Sequence, residues 1–267
     1  MTDISIDAGA KAAPRSSVRL WRGTVLPAIL LAAWAIVPHL LPTPHPLLVP
    51  LDQVLAAPFI DESGREVWAS LAQTLFRYAG GFAVGASAGI ALGLLVGASG
   101  LADRLISPSF NAVRQIALFA WIPLLTAWFG NGEASKIVFI ALSTFFPVAL
   151  NTHDGLRTIA KGYMEVAAVL KLSPRCRIVK LLLPGALPSI VIGLQIGLIT
   201  AWLGTVGGEY MIGVGRGLGI FIAEARGQFR MDLVLLGVIF LALIGFLSNL
   251  AFRRLCEPLI QWQGTKP

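Results

Sequence analysis

The chain has 267 residues, of which 56% are hydrophobic and 13% are charged, and its mean hydropathy is +0.76. A soluble domain carries about 25% charged residues because its surface must be solvated, so this composition excludes an ordinary soluble protein. The net charge of +7 is spread over short loops and forms no continuous face, which argues against a nucleic-acid-binding protein.

Six apolar segments are long enough to cross a bilayer as helices, which takes about 20 residues each. In chain order these predicted spans are Thr24–Leu41, Tyr78–Ala98, Phe110–Phe129, Ala134–Leu150, Leu181–Val206 and Leu233–Phe252. The third is interrupted by Arg114 and Pro123, and the fourth by Pro147. The sequence therefore predicts an all-α, polytopic membrane protein. Residues 1–23 form an extension, residues 24–252 the membrane domain and residues 253–267 a tail.

Glycines recur at every fourth position of the second predicted span, from Gly81 to Gly97. Small residues at this spacing form a smooth stripe that lets another helix approach closely, because helix association in lipid depends on packing. The partner helix can belong to the same subunit or to a second one, and the sequence leaves both open.

Lysine and arginine mark the predicted cytoplasmic side. The loop after the fourth span holds Arg157, Lys161, Lys171, Arg175, Arg177 and Lys180, and both ends of the chain are also basic. By the positive-inside rule, this loop and both termini are expected in the cytoplasm. The loop at 208–230 is an exception because it carries three arginines. The first apolar stretch has full spanning length, so we expect an uncleaved helix and no secretory signal.

Motifs for catalysis or cofactor binding are absent from the sequence. There is no G-x-x-x-x-G-K-[ST] loop that would bind ATP, and no His/Cys cluster with metal-ligand spacing. Cys176 and Cys256 fall on the predicted cytoplasmic side, where thiols stay reduced, so no disulfide is expected. The run Gly213–Gly219 fails the dinucleotide-binding spacing and is predicted to be a flexible or tightly turning loop. We expect no cofactor and no enzymatic activity.

Charged residues are scarce inside the predicted spans. Arg77 and Arg114 lie near segment ends, and Glu209 falls just past the fifth span. The deeper polar positions are mostly uncharged, namely Thr126, Ser143, Thr144, Gln195 and Thr200. An ion-coupled carrier usually places charged groups or broken helices near the midplane. The energy for any transport is therefore expected to come from another protein.

The basic loop at 154–183 is predicted to fold as a helical hairpin. Apolar residues from Ile159 to Leu170 follow a helical spacing, and Lys171 and Leu172 form the turn. Ser173 is a good N-cap, and Pro174 suits the first position of a second helix. An ordinary solvated loop is the alternative if only its basic charge is considered.

This hairpin resembles the coupling loop of ATP-binding-cassette (ABC) importer permeases, E-A-A-x-x-x-G-x9-I-x-L-P. It matches at Glu165, Ala167, Leu183 and Pro184, with the small residue Ala168 alongside. The run from Leu183 to Ile190 resembles the sulfonate, taurine and nitrate branch of that family. Further similarity lies at Arg114–Ile116, Ile122–Leu124, Trp128–Gly130, Glu133 and Ser135–Ile137, and the resemblance covers roughly residues 25–262.

Two positions depart from the family pattern. Lys171 replaces a glycine at the end of the first hairpin helix, where a left-handed residue costs about 1 kcal/mol unless it is glycine. The turn is therefore expected either to use another geometry or to present Lys171 to the ATPase. Ala117 replaces a proline common after Arg-x-Ile, so that helix is expected to be straighter than in relatives.

The resemblance implies a type I importer permease with six transmembrane helices. It implies three protein partners: a cytoplasmic ABC ATPase dimer, a second permease copy and a periplasmic solute-binding protein. Glu165, Ala167 and Ala168 would form the docking surface for the ATPase. Gln195, Trp202 and Thr126 are candidates for lining the pathway, and each could equally serve interhelical packing.

The solute implied by the family branch is small and anionic, such as an aliphatic sulfonate, taurine or nitrate. Arg216 and Arg226 in the outer loop fit an anion, and they fit an acidic binding protein equally well. A self-contained carrier or channel and a membrane-bound enzyme are the two alternatives to the importer. The first would transport without an ATPase, and the second would need a catalytic cluster.

Overall fold

The computed structural model describes residues 18–40, 49–60, 62–159 and 161–260, and within these ranges the regular structure is entirely helical. The α-helices are α1 (Val18–Leu40), α2 (Leu51–Ile60), α3 (Glu62–Ala98), α4 (Gly100–Val113), α5 (Ile122–Phe129), α6 (Glu133–Arg157), α7 (Lys161–Val169), α8 (Pro174–Arg177), α9 (Leu183–Ile212), α10 (Leu218–Gly227) and α11 (Met231–Ile260). A 3₁₀ turn at Leu118–Trp121 precedes α5, and a π-helical turn at Ile178–Leu182 joins α8 to α9.

The chain divides into two compact units, residues 1–53 and 54–267. The first unit holds α1, which is helical over the first predicted span up to Leu40. In this unit the indole Nε1 of Trp34 donates a hydrogen bond to the carbonyl of Val49 at 3.1 Å. The second unit holds the remaining long helices and all the candidate sites discussed below.

The glycine stripe of α3 packs against α6. A Cβ atom at Gly85 would lie 2.2 Å from the carbonyl oxygen of Ala141, and one at Gly93 would lie 2.5 Å from the Cβ of Thr152. Both contacts are far shorter than van der Waals distance, so only glycine allows the two backbones to approach this closely. The stripe therefore mediates packing within one subunit, which was one of the two possibilities left open by the sequence.

A neighbouring face of α6 packs against α9, and Thr144 and Val148 contact both partner helices. A Cβ at Gly197 would lie 2.8 Å from a side-chain methyl carbon of Val148, and one at Gly204 would lie 2.7 Å from Oγ of Ser143. Along α3 and α6 the residue numbers of the contacting pairs rise together. Along α6 and α9 they rise in one helix as they fall in the other. The core is thus a bundle of three helices that all contact one another, in which α3 and α6 are parallel and α9 is antiparallel to them.

Among the described residues, four helical stretches are long and apolar enough to cross a membrane, 62–98, 133–157, 178–212 and 231–258. The bent pair α4 and α5 counts as a fifth candidate. Because α3 and α6 run parallel, the chain between them must return from one end of the core to the other. Residues 99–132 therefore cross the core's length. The prediction of an all-helical membrane protein is confirmed, whereas the count of six spans is not.

The third predicted span, Phe110–Phe129, is not one continuous helix. The helical axis bends by 93° between α4 and the segment 118–129. Arg114 caps the end of α4, and Ala117 is extended, with φ −56° and ψ 130°. A proline would favour this same conformation, so alanine preserves the break. The expectation that Ala117 makes this helix straighter is wrong.

Candidate functional site

The predicted helical hairpin is present at residues 161–177, whereas residues 154–157 still belong to α6. Helix α7 ends in a turn in which the amide of Leu170 donates to the carbonyl of Val166, and the amide of Leu172 donates to that of Ala167 at 3.1 Å. Lys171 lies between them with φ +48°, in the left-handed region. This is the helix-ending geometry for which glycine is usually selected. Lys171 therefore adopts a conformation that suits glycine, and its side chain is exposed.

The second arm of the hairpin begins as the sequence predicts. Helix α8 starts at Pro174, and Ser173 precedes it. The amide of Cys176 donates to Oγ of Ser173 at 3.4 Å, and the amide of Arg177 donates to its carbonyl at 2.9 Å. From Pro174 the chain stays helical through the π-helical turn into α9. The hairpin is consequently continuous with a core helix.

Helix α7 exposes apolar side chains. Tyr163 is 64% exposed, Val166 57% and Val169 81%, and Leu170 and Glu165 beside them are also exposed. Ala167 was expected on the docking surface. It is only 5% exposed, because it lies on the side of α7 that faces the rest of the chain. The side chain of Ala168 lies outside the described part. An exposed apolar patch with a single carboxylate is typical of a protein-binding surface.

The base of the hairpin is fixed to the core. Leu183 packs against a buried cluster formed by Leu156 at the end of α6 and by Leu182, Ala186 and Ile190. Pro184 follows in the first turn of α9 and is exposed. The base of the hairpin is therefore in direct contact with the ends of α6 and α9.

The three candidate pathway residues lie on different parts of the core. The ring of Trp202 packs edge-on against Tyr78 of α3, with centroids 5.2 Å apart, and its indole lies beside Gly245 of α11. This contact is interhelical packing. Thr126 donates a hydrogen bond to the carbonyl of Pro123 within α5, and Gln195 is half-buried on α9. No hydrogen bond or ring contact joins any two of these three described residues.

A buried ionic cluster, formed by Arg77, Glu133, Lys136 and Glu209, was not anticipated from the sequence. The side chains of Arg77 and Glu209 are 0% exposed and that of Lys136 is 1% exposed, whereas Glu133 is 48% exposed. Arg77 lies well inside α3, and Glu209 lies inside α9, because both helices extend beyond their predicted spans. The expectations that Arg77 is near a segment end and that Glu209 follows the fifth helix are therefore wrong.

Arg77 is the centre of this cluster. Its Nη1 donates to Oε1 of Glu209 at 2.7 Å, and its Nε and Nη2 donate to the two carboxylate oxygens of Glu133, the second at 2.6 Å. Lys136 Nζ lies 3.7 Å from Oε1 of Glu133. Buried charges must be paired because an unpaired one costs several kcal/mol. The sequence shows charged residues of opposite sign near apolar spans, which is a signal for such a cluster. It does not show which of these residues pair with one another.

The glycine-rich loop after α9 closes over the ionic cluster. Gly213 and Gly215 have φ +66° and +88°, and a Cβ at Gly217 would lie 2.5 Å from the carboxyl carbon of Glu209. The carbonyl of Arg216 accepts from Arg77 at 2.5 Å, and that of Val214 accepts from Lys136. The predicted tight turn is confirmed, and the loop passes directly into α10.

Glu209 also caps α10. Its Oε2 accepts from the amide of Gly219 at 2.9 Å, and Oγ1 of Thr74 accepts from the amide of Leu218 at 2.8 Å. These amides are among the first of α10 and have no partner within the helix. The ionic cluster thus ties the N-terminus of α10 to α3 and α9.

A cavity of about 170 Å³ lies near the hairpin end of α3, α4 and α6. Its polar wall contains His153, whose Nδ1 is 2.9 Å from Asp154 and whose Nε2 is 3.2 Å from Asp103. Arg157 pairs with the other oxygen of Asp103 at 3.2 Å. These contacts pair the charged groups with one another and fasten α4 to the end of α6.

The long apolar helices of the core, the exposed hairpin and the paired charges define a multi-helix membrane protein. Comparison with known proteins identifies the family. Residues 88–258, more than half of the chain, match the model of the binding-protein-dependent transport system inner membrane component, and the chain belongs to that family.

Relatives of known name agree with this assignment. The chain is 35% identical over 251 residues to SsuC of Bacillus subtilis, named as an aliphatic sulfonates transport permease, covering 91% of this chain and 88% of that protein. It is 34% identical to the taurine transport system permease protein TauC of Escherichia coli, covering 89% and 88%. It is 32% identical to the nitrate import permease protein NrtB of Synechocystis, covering 87% and 86%.

A solved structure supports the fold. An inward-facing conformation of the MetNI methionine ABC transporter matches with a TM-score of 0.51 and 28% sequence identity, covering 73% of this chain and 94% of the matched chain. The protein is a permease subunit of an ABC importer and lies in the membrane. It works with an ATPase and a binding protein, and ATP hydrolysis belongs to the separate ATPase subunit.

Proposed function

We propose that two copies of this chain form the pathway through which a small anion enters the cell, with the hairpin at 154–183 bound to the ATPase. The observation that carries the proposal is the hairpin itself. Its outer face presents Tyr163, Glu165, Val166 and Val169 to solvent, while Leu183 at its base is packed into the core. An exposed element whose second arm is continuous with α9 suits the transfer of movement from a partner.

Both termini are assigned to the cytoplasm in this proposal. The basic loop between α6 and α9 faces the ATPase, so the hairpin end of the core is the inner end. The parallel arrangement of α3 and α6 and the opposite direction of α9 are consistent with this assignment, since α11 then returns the tail to the inner side. The positive-inside distribution of lysine and arginine gives the same orientation.

The coupling residues have distinct roles. Glu165 provides the charge of the docking surface, and Lys171 closes the turn at its edge. Ala167 supports the helix from within, and Ala168 adjoins it. Leu183 and Pro184 connect the hairpin to α9. Gln195 and Thr126 remain proposed pathway positions, whereas Trp202 contributes through its packing against Tyr78.

An anionic solute is favoured by the relatives. Their names specify aliphatic sulfonates, taurine, nitrate and, for CmpB of Synechocystis at 32% identity, bicarbonate. These solutes share a small oxyanion group. We assign this chain a solute of the same class.

Co-purification of the ATPase tests the hairpin assignment. Glu165→Ala is expected to reduce the amount of ATPase retained in mild detergent, because it removes the one carboxylate of the exposed face. Glu257→Ala removes an exposed carboxylate from the last described helix and serves as the matched control. Equal retention in wild type and both variants would contradict the role of Glu165.

A further inference from the structure

The ionic cluster lies at the end of the core opposite the hairpin. Helix α6 begins with Glu133 and α9 ends three residues after Glu209, whereas the hairpin joins their other ends. At 1.5 Å per residue each of these helices is roughly 40 Å long, which is enough to cross the membrane. The cluster is therefore at the outer end of the core in the orientation proposed above.

The two carboxylates of the cluster are held very differently. Glu209 is fully buried and accepts hydrogen bonds from Arg77, from Oγ1 of Thr74 and from the amide of Gly219. Glu133 is half-exposed, and its partners are Arg77 and, at 3.7 Å, Lys136. Glu133 can rotate toward solvent without breaking a backbone contact, whereas Glu209 cannot.

Departure of Glu133 would leave a well-formed anion site. Nε and Nη2 of Arg77 form a planar fork that now holds two carboxylate oxygens, and the same fork suits any small oxyanion with two accessible oxygens. Lys136 adds a second cation at one edge. Gly215 lies next to these groups, since a Cβ there would be 3.6 Å from Oε1 of Glu133 and 3.8 Å from Nζ of Lys136.

The charge of the site favours replacement of the Glu133 carboxylate by another anion. With Glu133 in place, the two cations are balanced by two carboxylates and the cluster is neutral. With Glu133 turned outward, Arg77 and Lys136 face only Glu209, so one positive charge is left at a largely desolvated position. Such a charge attracts an anion strongly.

We propose that Arg77 and Lys136 form an anion-binding site at the outer end of the pathway, with Glu133 as a built-in occupant that the incoming solute displaces. This inference rests on the proposed function, because it takes the solute to be an oxyanion. The return of Glu133 expels the bound anion, so the site holds solute briefly and does not retain it.

Binding of ethanesulfonate to the permease–ATPase complex in nanodiscs, without the binding protein, tests this site by calorimetry. Glu133→Gln keeps the shape of the side chain but removes the competing charge, and we expect about tenfold tighter binding than in wild type. Glu224→Gln removes an exposed carboxylate from α10 and should bind as wild type does. Adding Arg77→Lys to Glu133→Gln should abolish the gain, because an ammonium group cannot form the fork.

Identical affinities in wild type, Glu133→Gln and Glu224→Gln would overturn the proposal, as would a gain that persists without the Arg77 guanidinium. If Glu133→Gln does not assemble, Glu133→Asp provides a shorter carboxylate with a weaker hold on Arg77 and should also raise affinity. Failure of both to assemble would make the pair a structural clamp and refute the site. ATP-driven uptake by the wild-type importer tests the solute class separately.

Discussion

Lys171 shows how one residue can depart from a family pattern without altering the fold around it. Its φ of +48° places it in the left-handed region, where a residue with a Cβ is less stable than glycine by about 1 kcal/mol. The hydrogen bond from the Leu172 amide to the Ala167 carbonyl still closes the turn. The chain thus tolerates local strain at this turn and places an exposed cation beside the proposed docking surface.

Two substitutions separate the backbone of Lys171 from its charge. Lys171→Gly and Lys171→Ala both remove the ammonium group, but only glycine relieves the left-handed strain, so Lys171→Gly should be the more stable variant by about 1 kcal/mol. Thermal unfolding of the complex measures this difference. ATP-driven transport should match wild type in both variants; loss of transport in both would indicate that Lys171 contacts the ATPase directly.

The residues of the hairpin were predictable because their signals are local. Ser173, Pro174 and the apolar spacing of α7 act over a few positions, and the resemblance at Glu165 supplied the rest. The ionic cluster was not predictable in the same way. Arg77 and Glu209 are 132 residues apart in the chain, and nothing in the local pattern around either residue specifies its partner.

At the level of helices, glycine determines how closely α3, α6 and α9 pack. The periodic stripe in α3 predicted a close helix contact, because a spacing of four residues keeps side chains on one face of a helix. It did not identify the partner, since the complementary surface of α6 consists of ordinary residues such as Ala141 and Thr152. Only the three-dimensional arrangement distinguishes packing within a subunit from packing between subunits.

The close packing of α3 on α6 gives a stability prediction with an internal control. Gly85→Ala would place a Cβ 2.2 Å from the carbonyl oxygen of Ala141 and should destabilise the protein by about 1–3 kcal/mol, because a backbone atom cannot move aside. Gly80→Ala on the same helix meets no atom within 4 Å and should be neutral or stabilising. The midpoint of thermal unfolding in detergent compares them, and equal effects would contradict the packing described.

The break between α4 and α5 was the main error in the predicted helices. Apolar composition alone made residues 110–129 resemble one span, although Arg114 and Pro123 interrupt it. The bend of 93° follows from the extended backbone at Ala117 and the helix start near Pro123. Hydropathy reflects how favourably side chains transfer from water to lipid, and it is insensitive to a change in the direction of the backbone.

Across the whole molecule, the same helices connect the two candidate sites. Helices α6 and α9 carry the base of the hairpin at one end and Glu133, Lys136 and Glu209 at the other. Glycine contacts hold these two helices close together. In the orientation proposed above, these helices join the end where the ATPase would bind to the end that carries the ionic cluster.

ATP-driven uptake by the complete importer in proteoliposomes tests the central claim most directly. The permease, its ATPase and its binding protein are reconstituted together, and the accumulation of labelled taurine, ethanesulfonate or nitrate is measured. We predict uptake of at least one of these solutes that requires ATP and the binding protein and that falls in Glu165→Ala. Equal uptake by the permease alone, driven only by an ion or solute gradient, would contradict the account and identify a self-contained carrier.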